Sequence, residues 1–343
     1  MEKTLFFHHY NDYSGSTKVL ADYLSSNYDN LNDITVLTDA TKEGFLSDIG
    51  VNLINIPIFR YKGRAIPIVS QIIWPIAGLI KTLRIGKKYD IFYINTIIPM
   101  YAAVAGSILN KKIIYHIHEK YVTKSVKSRI AEFIFNHVKA ERKYVSKYVA
   151  DKYLHHRDCI EYIAYNKLSK EFIAATKVVP LEEHKLNEVL MISSLQKGKG
   201  IDNFVKVAFK LPQLHFTLIL SATEERIKDY FNYKLPPNLT LYPSQSNIHA
   251  FLQNADVILN LSIPFFLVET FGMTIIEGMA YGLPAIVPNA GGPMELIESG
   301  KNGYSIDVTD VSLVTSKIEE ILNPTVYKKM YHNALKKVEQ FKY

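Results

Sequence analysis

The chain alternates short apolar runs with longer stretches whose apolar residues recur at helical spacing. Runs at 4–9, 34–37, 52–56, 90–95, 112–118 and 160–165 read as strands, and stretches at 17–26, 100–109 and 124–147 as helices. The pattern resumes after a polar, irregular segment at 166–187 that contains Pro180. Beyond it, strands are predicted at 188–192, 216–220, 239–242 and 256–260, and helices at 201–210, 224–233, 247–253, 313–322 and 326–341. Strands alternating with helices predict an α/β fold. A length of 343 residues exceeds one ordinary domain, and the irregular segment reads as a linker.

One stretch fits two elements. Residues 66–80 are apolar apart from Ser70 and Gln71, carry Pro67 and Pro75, and are followed at once by Lys81, Arg84, Lys87 and Lys88. The run is too short and too broken to span a bilayer. It reads either as a buried crossover helix with a basic end or as a helix in a membrane interface with Trp74 as anchor. The helix expected at 124–147 is basic through Lys124, Lys127, Arg129, Lys139, Arg142, Lys143 and Lys147. Ile130, Phe133, Ile134 and Val138 are its expected buried stripe.

Charge sharpens this picture. Residues 1–175 hold 24 Lys and Arg against 16 Asp and Glu, whereas the remainder holds 16 against 17, so the net +7 lies in the first half. Such a half faces an anionic partner: a membrane, nucleic acid or a phosphorylated acceptor. A single cysteine, Cys159, allows no internal disulfide or cysteine-based metal cluster and fits a reducing cytoplasm. The chain enters its first strand at once, so no signal peptide is expected.

Candidate chemistry centres on residues 268–280. Glu269 and Glu277 are separated by seven residues, with Gly272 between them just before a helical run that includes Thr274, Ile276 and Ala280. The first turn of a helix has free N–H groups, and a glycine there lets an anion approach the backbone. The amides of Gly272, Met273 and Thr274 are therefore expected to hold a phosphate, with the two carboxylates accepting from sugar hydroxyls on either side. A ligand with a phosphate between polyol parts is a nucleotide sugar. In the first half, Gly15 and Ser16 lie in a loop between strand and helix, a second place where a phosphate could approach. His118 and Glu119 sit at the carboxyl end of a strand, where open α/β sheets place ligands.

The ordered run from Glu269 to Gly303 resembles the retaining glycosyltransferases of family 4, in its Glu-x7-Glu spacing, its Phe271-Gly272 core, the turn at Gly282-Leu283-Pro284, the helix start at Gly291-Gly292-Pro293 and the turn at Gly300 to Gly303. His116-Ile117-His118-Glu119 and Asn11 to Ser16 look like a bacterial surface-polysaccharide branch of that family. The resemblance is densest over 188–305 and extends through 1–120.

It implies the GT-B architecture, two doubly wound Rossmann-like domains facing across a cleft: an acceptor-side domain at 1–175, a nucleotide-sugar domain at 188–325, and a terminal helix at 326–343 crossing back to the first. The implied activity is retaining transfer of a hexose from a UDP- or GDP-linked donor to a glycan or polyprenyl-diphosphate-linked acceptor in O-antigen or capsule biosynthesis. The implied setting is the inner face of the plasma membrane, with no nucleic acid.

By the same resemblance Glu269 orients the donor sugar, His118 contacts it, Glu277 holds the ribose, and Lys199 and the segment Phe271 to Thr274 bind the diphosphate. Ser194 stands where the family has an arginine, so either Lys197 substitutes or fewer charges hold the diphosphate. No Asp-x-Asp occurs, so a metal-bridged diphosphate is not expected, and the resemblance implies no cofactor beside the nucleotide-sugar substrate. Two alternatives stay open. A GT-B nucleotide-sugar epimerase would need acid/base carboxylates, for which Glu119 is the first-half candidate. A non-catalytic paralogue that binds a glycan or nucleotide would suit the missing arginine.

Overall fold

A computed structural model of the chain describes residues 2–39, 43–56, 60–61, 64–65, 67–118, 126–153, 155 and 157–343. Glu119 and Lys124 lie outside these residues. The chain divides into two compact units, Met1–Ser169 and Lys170–Tyr343.

The first unit is a seven-stranded parallel sheet with helices between its strands. In chain order its strands are β1 (Thr4–Tyr10), β2 (Thr35–Asp39), β3 (Asn52–Asn55), β6 (Ile91–Asn95), β7 (Lys112–Ile117), β8 (Glu141–Tyr144) and β9 (Ile160–Ile163), and a separate two-stranded ribbon is formed by β4 (Arg60–Tyr61) and β5 (Arg64–Ala65). The strand order in the sheet is β3-β2-β1-β6-β7-β8-β9. Leu5, Phe6 and Phe7 in succession are fully buried, because a parallel strand is covered on both faces and so reads as a continuous apolar run. Phe6, Leu20, Leu24, Val36 and Tyr93 form the core on one side.

The second unit is a six-stranded parallel sheet of β10 (Glu188–Ser194), β11 (His215–Ser221), β12 (Leu239–Tyr242), β13 (Val257–Leu259), β14 (Ala285–Pro288) and β15 (Gly303–Ile306), in the order β12-β11-β10-β13-β14-β15. Val189, Phe204, Leu218, Leu259, Ile286, Ile318 and Tyr327 lie in one core cluster. The terminal helix, Pro324–Val338, contributes Tyr327, Met330 and Tyr331 to that cluster. Both units are thus Rossmann-like, as the alternation predicts.

Each sheet reverses its strand order once, between β1 and β6 and between β10 and β13. The crevice outside the carboxyl ends of strands at such a reversal is where open α/β sheets bind ligands.

Three expectations change. The single helix at 124–147 is instead a helix Val126–His137, the strand β8, and a short helix Lys147–Ala150. Charge misled the pattern here: Arg142 is fully buried in β8, donating to Glu161 Oε1 at 2.8 Å and to the Phe135 carbonyl at 2.6 Å. It is a paired interior cation and no part of a basic face. Ile130 and Phe133, expected inside, are 45% and 62% exposed, while Ser128, Ala131 and Phe135 face inward. Finally, Trp74 lies within the helix Pro67–Ile85 but is 1% exposed, packed edge-on against His9 and Tyr101 with the Lys127 ammonium 4.3 Å from its ring centroid. It is a core residue and cannot be a membrane anchor. Burial draws the Lys127 ammonium down to about 8. Among the described residues, no helix is long and apolar enough to cross a membrane.

Candidate active site

The second unit builds its site from the loops after β10 and β13, on the two sides of its strand reversal. Ser194 ends β10, its carbonyl accepting from Gln196 N at 2.8 Å. A turn of 3-10 helix, Lys197–Lys199, follows and brings Lys199 over the sheet. There its ammonium pairs with Glu269 Oε1, which also accepts from Ser262 Oγ at 3.2 Å. The Lys199 and Glu269 side chains are 19% and 22% exposed, so the pair is open to a ligand. Lys197 is exposed. Glu269 is held from behind, because its carbonyl accepts from Gly292 N at 2.9 Å. Gly291-Gly292-Pro293, expected to start a helix, does open a short 3-10 helix, Gly292–Leu296, and also braces the glutamate through that bond.

Gly272 precedes the helix Met273–Met279 with φ 119°, a left-handed value that glycine alone adopts readily. The chain turns sharply there, which puts the Met273 and Thr274 amides at the start of the helix, where they have no partner within it. Glu277 lies one turn beyond Met273, on the same helix face. It was expected at an open site but is 3% exposed. Phe271 is 3% exposed and packs edge-on against Phe341 at 5.9 Å, so its ring belongs to the core and its backbone faces the turn.

The first unit gathers a second cluster at its own strand reversal. Phe7 of β1 is opposite Ile94 of β6, which sets His8 beside Asn95. Asn95 is opposite His116 of β7, and His118 follows at the strand end. His118 Nε2 is 2.7 Å from Asn95 Oδ1, Asn95 Nδ2 is 2.9 Å from His8 Nδ1, and His8 Nε2 is 3.0 Å from Thr17 Oγ1. Thr17 donates to Asp12 Oδ1 at 2.7 Å, and Asn95 Nδ2 also donates to the Ser16 carbonyl at 3.2 Å. The bonds therefore tie His118 to the loop of Gly15 and Ser16, where the helix Gly15–Asn27 begins. Burial lowers His118 well below the ordinary imidazole value and His8 to about 4, so both are neutral. Asp12 is held below its ordinary value despite partial burial, by hydrogen bonds from Ser14 and Thr17. Thr96, next after Asn95, has φ 74°, a costly conformation for a β-branched residue. Its N–H donates to the His116 carbonyl at 2.8 Å, which holds the chain in that turn. Asn95 and His8 were missed in the sequence; the signal for them was their place at strand ends next to His118.

Comparison with known proteins gives this architecture a class. The family model of glycosyl transferases group 1 matches residues 173–338, within the second unit. Among solved structures, Anabaena Alr3699/HepE in complex with UDP-glucose matches with TM-score 0.80 over 100% of this chain and 96% of that one, at 18% identity. At that identity the likeness shows the fold alone, the GT-B class with two Rossmann-like domains.

Two curated relatives match in part. The sucrose synthase of Denitrovibrio acetiphilus is 40% identical over 79 residues, 22% of this chain and 10% of that protein. "Putative glycosyltransferase EpsD" of Bacillus subtilis is 26% identical over 181 residues, 48% of this chain and 46% of that protein. The chain thus spans a tenth of the first relative's length and just under half of the second's.

Proposed function

We propose that the protein is a retaining, metal-independent glycosyltransferase that moves a hexose from a UDP- or GDP-linked donor to a glycan or lipid-linked acceptor in bacterial surface-polysaccharide synthesis. The observation that carries the reading is the Lys199–Glu269 pair at the strand reversal of the second unit, beside the turn at Gly272. A cation and free amides suit a diphosphate, and a carboxylate next to them suits sugar hydroxyls. The match of residues 173–338 to glycosyl transferases group 1 and the UDP-glucose bound to HepE support the same ligand class. The acceptor and the surface-polysaccharide role rest on the resemblance of the His116 to Glu119 and Asn11 to Ser16 segments.

In the reaction, the bond from the anomeric carbon to the phosphate oxygen breaks and one to the acceptor oxygen forms on the same face. The acceptor proton passes to the leaving phosphate oxygen. Lys199 and the amides after Gly272 stabilise the charge that develops on the diphosphate. Glu269 orients the sugar, and Glu277 holds the ribose through the little surface it leaves exposed. Lys199 supplies the cation that a metal provides elsewhere, in keeping with a sequence that lacks Asp-x-Asp.

Peripheral attachment to an anionic membrane, on its cytoplasmic side, is part of the proposal. Its support moves from Trp74 to other residues. Ile73, Ile76 and Ile80 on one helix and Val126, Ile130 and Phe133 on another are exposed, and Arg84, Lys87, Lys88 and Arg129 are exposed on or beside the same helices. The helix Met100–Ile108 packs against both. Exposed apolar residues with a basic surround suit an anionic lipid surface.

A panel of nucleotide sugars tests the reading. The parent protein should show a raised melting temperature with one UDP- or GDP-hexose and slow release of free sugar from it. Interconversion of sugars would instead identify an epimerase, and binding without turnover a non-catalytic paralogue.

A further inference from the structure

We propose that Phe265 and Phe266 form a saccharide platform on the second unit, a subsite that takes the ring of an acceptor sugar by its C–H face. The proposal rests on the reading of the Lys199–Glu269 pair as a nucleotide-sugar site, and it makes the acceptor a saccharide rather than a bare lipid phosphate.

Phe265 is 89% exposed, the most exposed large apolar side chain among the described residues, and Phe266 is 59% exposed. Neighbouring aromatic rings left open to water mark a surface that binds something. They are not loosely held. Both stand on the loop from Ser262 to Glu269, closed at its base by the bond from Ser262 Oγ to Glu269 Oε1 at 3.2 Å. Inside the loop, the Ile263 carbonyl accepts from Phe266 N at 3.0 Å and from Leu267 N at 2.9 Å, which turns the chain tightly at Pro264 and Phe265. Ile263 N donates to the Gly198 carbonyl at 2.8 Å, tying the loop to the 3-10 turn that carries Lys199. The fit there is close: a Cβ added to Gly198 would lie 3.1 Å from Phe266 Cβ and 3.0 Å from Leu267 Cβ. The rings therefore belong to the same braced frame as Lys199 and Glu269. Phe266 and Glu269 are separated by Leu267 and Val268, so their Cα atoms are at most about 11 Å apart.

Shape and charge select the occupant. The two ring centroids are 5.0 Å apart with the planes at 85°, so the pair makes an L-shaped apolar corner. Such a corner suits a ligand of ring size with an apolar face and a polar rim. A pyranose has both, with C–H bonds on its face and hydroxyls around its edge. No charged side chain occurs from Val257 to Val268, so no ion competes for that face. An acyl chain or a bilayer would draw the Lys199–Glu269 pair, on the same frame, out of water at the desolvation cost of two charges. Transfer sets an acceptor oxygen against the anomeric carbon of the sugar at Glu269. The acceptor's own ring is thus the next one along, within reach of the two phenyl groups.

The test labels the full chain with 4-fluorophenylalanine and follows its 19F resonances. Phe265→Leu and Phe266→Leu identify the two signals by their loss. The bonds that brace the loop are main-chain or lie on Ser262 and Glu269, so neither substitution removes one. The probes are methyl hexopyranosides, added without nucleotide, with sorbitol as a polyol that has the hydroxyls but no ring face. At least one glycoside should move both resonances saturably, and sorbitol should move neither. Phe265→Ser combined with Phe266→Ser should weaken binding of that glycoside about tenfold and of UDP or GDP by less than about twofold.

The platform is overturned if every glycoside leaves both resonances in place, if only vesicles of phosphatidylglycerol move them, or if they move with protein concentration alone. Those outcomes leave the transferase reading standing, because release of sugar from the donor is measured separately. A chain that turns over no nucleotide sugar but whose Phe265 and Phe266 signals answer to a glycoside keeps the saccharide site and loses the transferase reading.

Discussion

The ion pair between Lys199 and Glu269 makes a specific prediction for a double-mutant cycle. When a diphosphate binds, the Lys199 ammonium exchanges part of its bond to Glu269 Oε1 for phosphate oxygens. A hydrogen bond to a charged group is worth about 1.5–3 kcal/mol. The side chains are 19% and 22% exposed, so solvent screening favours the low end of that range. Lys199→Ala should therefore weaken nucleoside-diphosphate binding by about 1.5 kcal/mol, roughly tenfold. Glu269→Gln removes the competitor for the ammonium and should leave diphosphate affinity equal or tighter, while turnover of the sugar donor falls. In the Lys199→Ala background, Glu269→Gln should no longer tighten binding, because no ammonium is left to release. Isothermal titration with UDP or GDP, and with the bare nucleoside as control, reads all four corners. Nucleoside affinity should be unchanged throughout. Equal losses for nucleoside and nucleoside diphosphate in Lys199→Ala would place the lysine away from the phosphates and refute the reasoning.

Further predictions concern stability and surface. At Gly200, φ is 74° and an added Cβ would lie 1.9 Å from the Leu261 carbonyl oxygen. Gly200→Ala should therefore cost about 1–2 kcal/mol for the left-handed backbone and about 1–3 more for the displaced chain. Thermal unfolding checks this, and an unchanged melting temperature would contradict it. His8 has a folded value of about 4 against an ordinary 6.5, so between these values the unfolded chain binds more protons. Its contribution is complete above about pH 6.5 and falls on the order of 3 kcal/mol by about pH 4. Denaturant titrations across that window should show a shallower pH slope for His8→Gln than for the parent, and equal slopes would refute it. Ile76→Asp or Phe133→Asp should reduce co-sedimentation with anionic vesicles at low salt, and high salt should release the parent. Emission from the buried Trp74 should not shift on vesicle binding; a blue shift would return Trp74 to the surface.

Much of this was legible because parallel strands covered on both faces appear as unbroken apolar runs. Leu5-Phe6-Phe7 and Val257-Ile258-Leu259 needed no partner to be identified. The strand β8 was hidden because its stability comes from elsewhere. Arg142 is buried only because Glu161 of β9 and the Phe135 carbonyl receive it, and long-range partners leave no trace in local spacing. Trp74 failed for a related reason: a run apolar on most sides does not say which side faces the sheet, and here Ile76 is outward and Trp74 inward. In the second unit, Lys199 and Glu269 were both found in the sequence, 70 residues apart, but their pairing was not. Asn95 and His8 needed strand register, which places them side by side across the β1–β6 reversal.

The most direct test of the central claim is to follow the protein by 1H NMR with UDP- and GDP-hexoses and observe the sugar it releases. The account predicts free hexose from at least one donor, appearing first in the same anomeric configuration that it had on the nucleotide. Release in the opposite configuration would contradict retention, and intact donors across the whole panel would contradict the transferase.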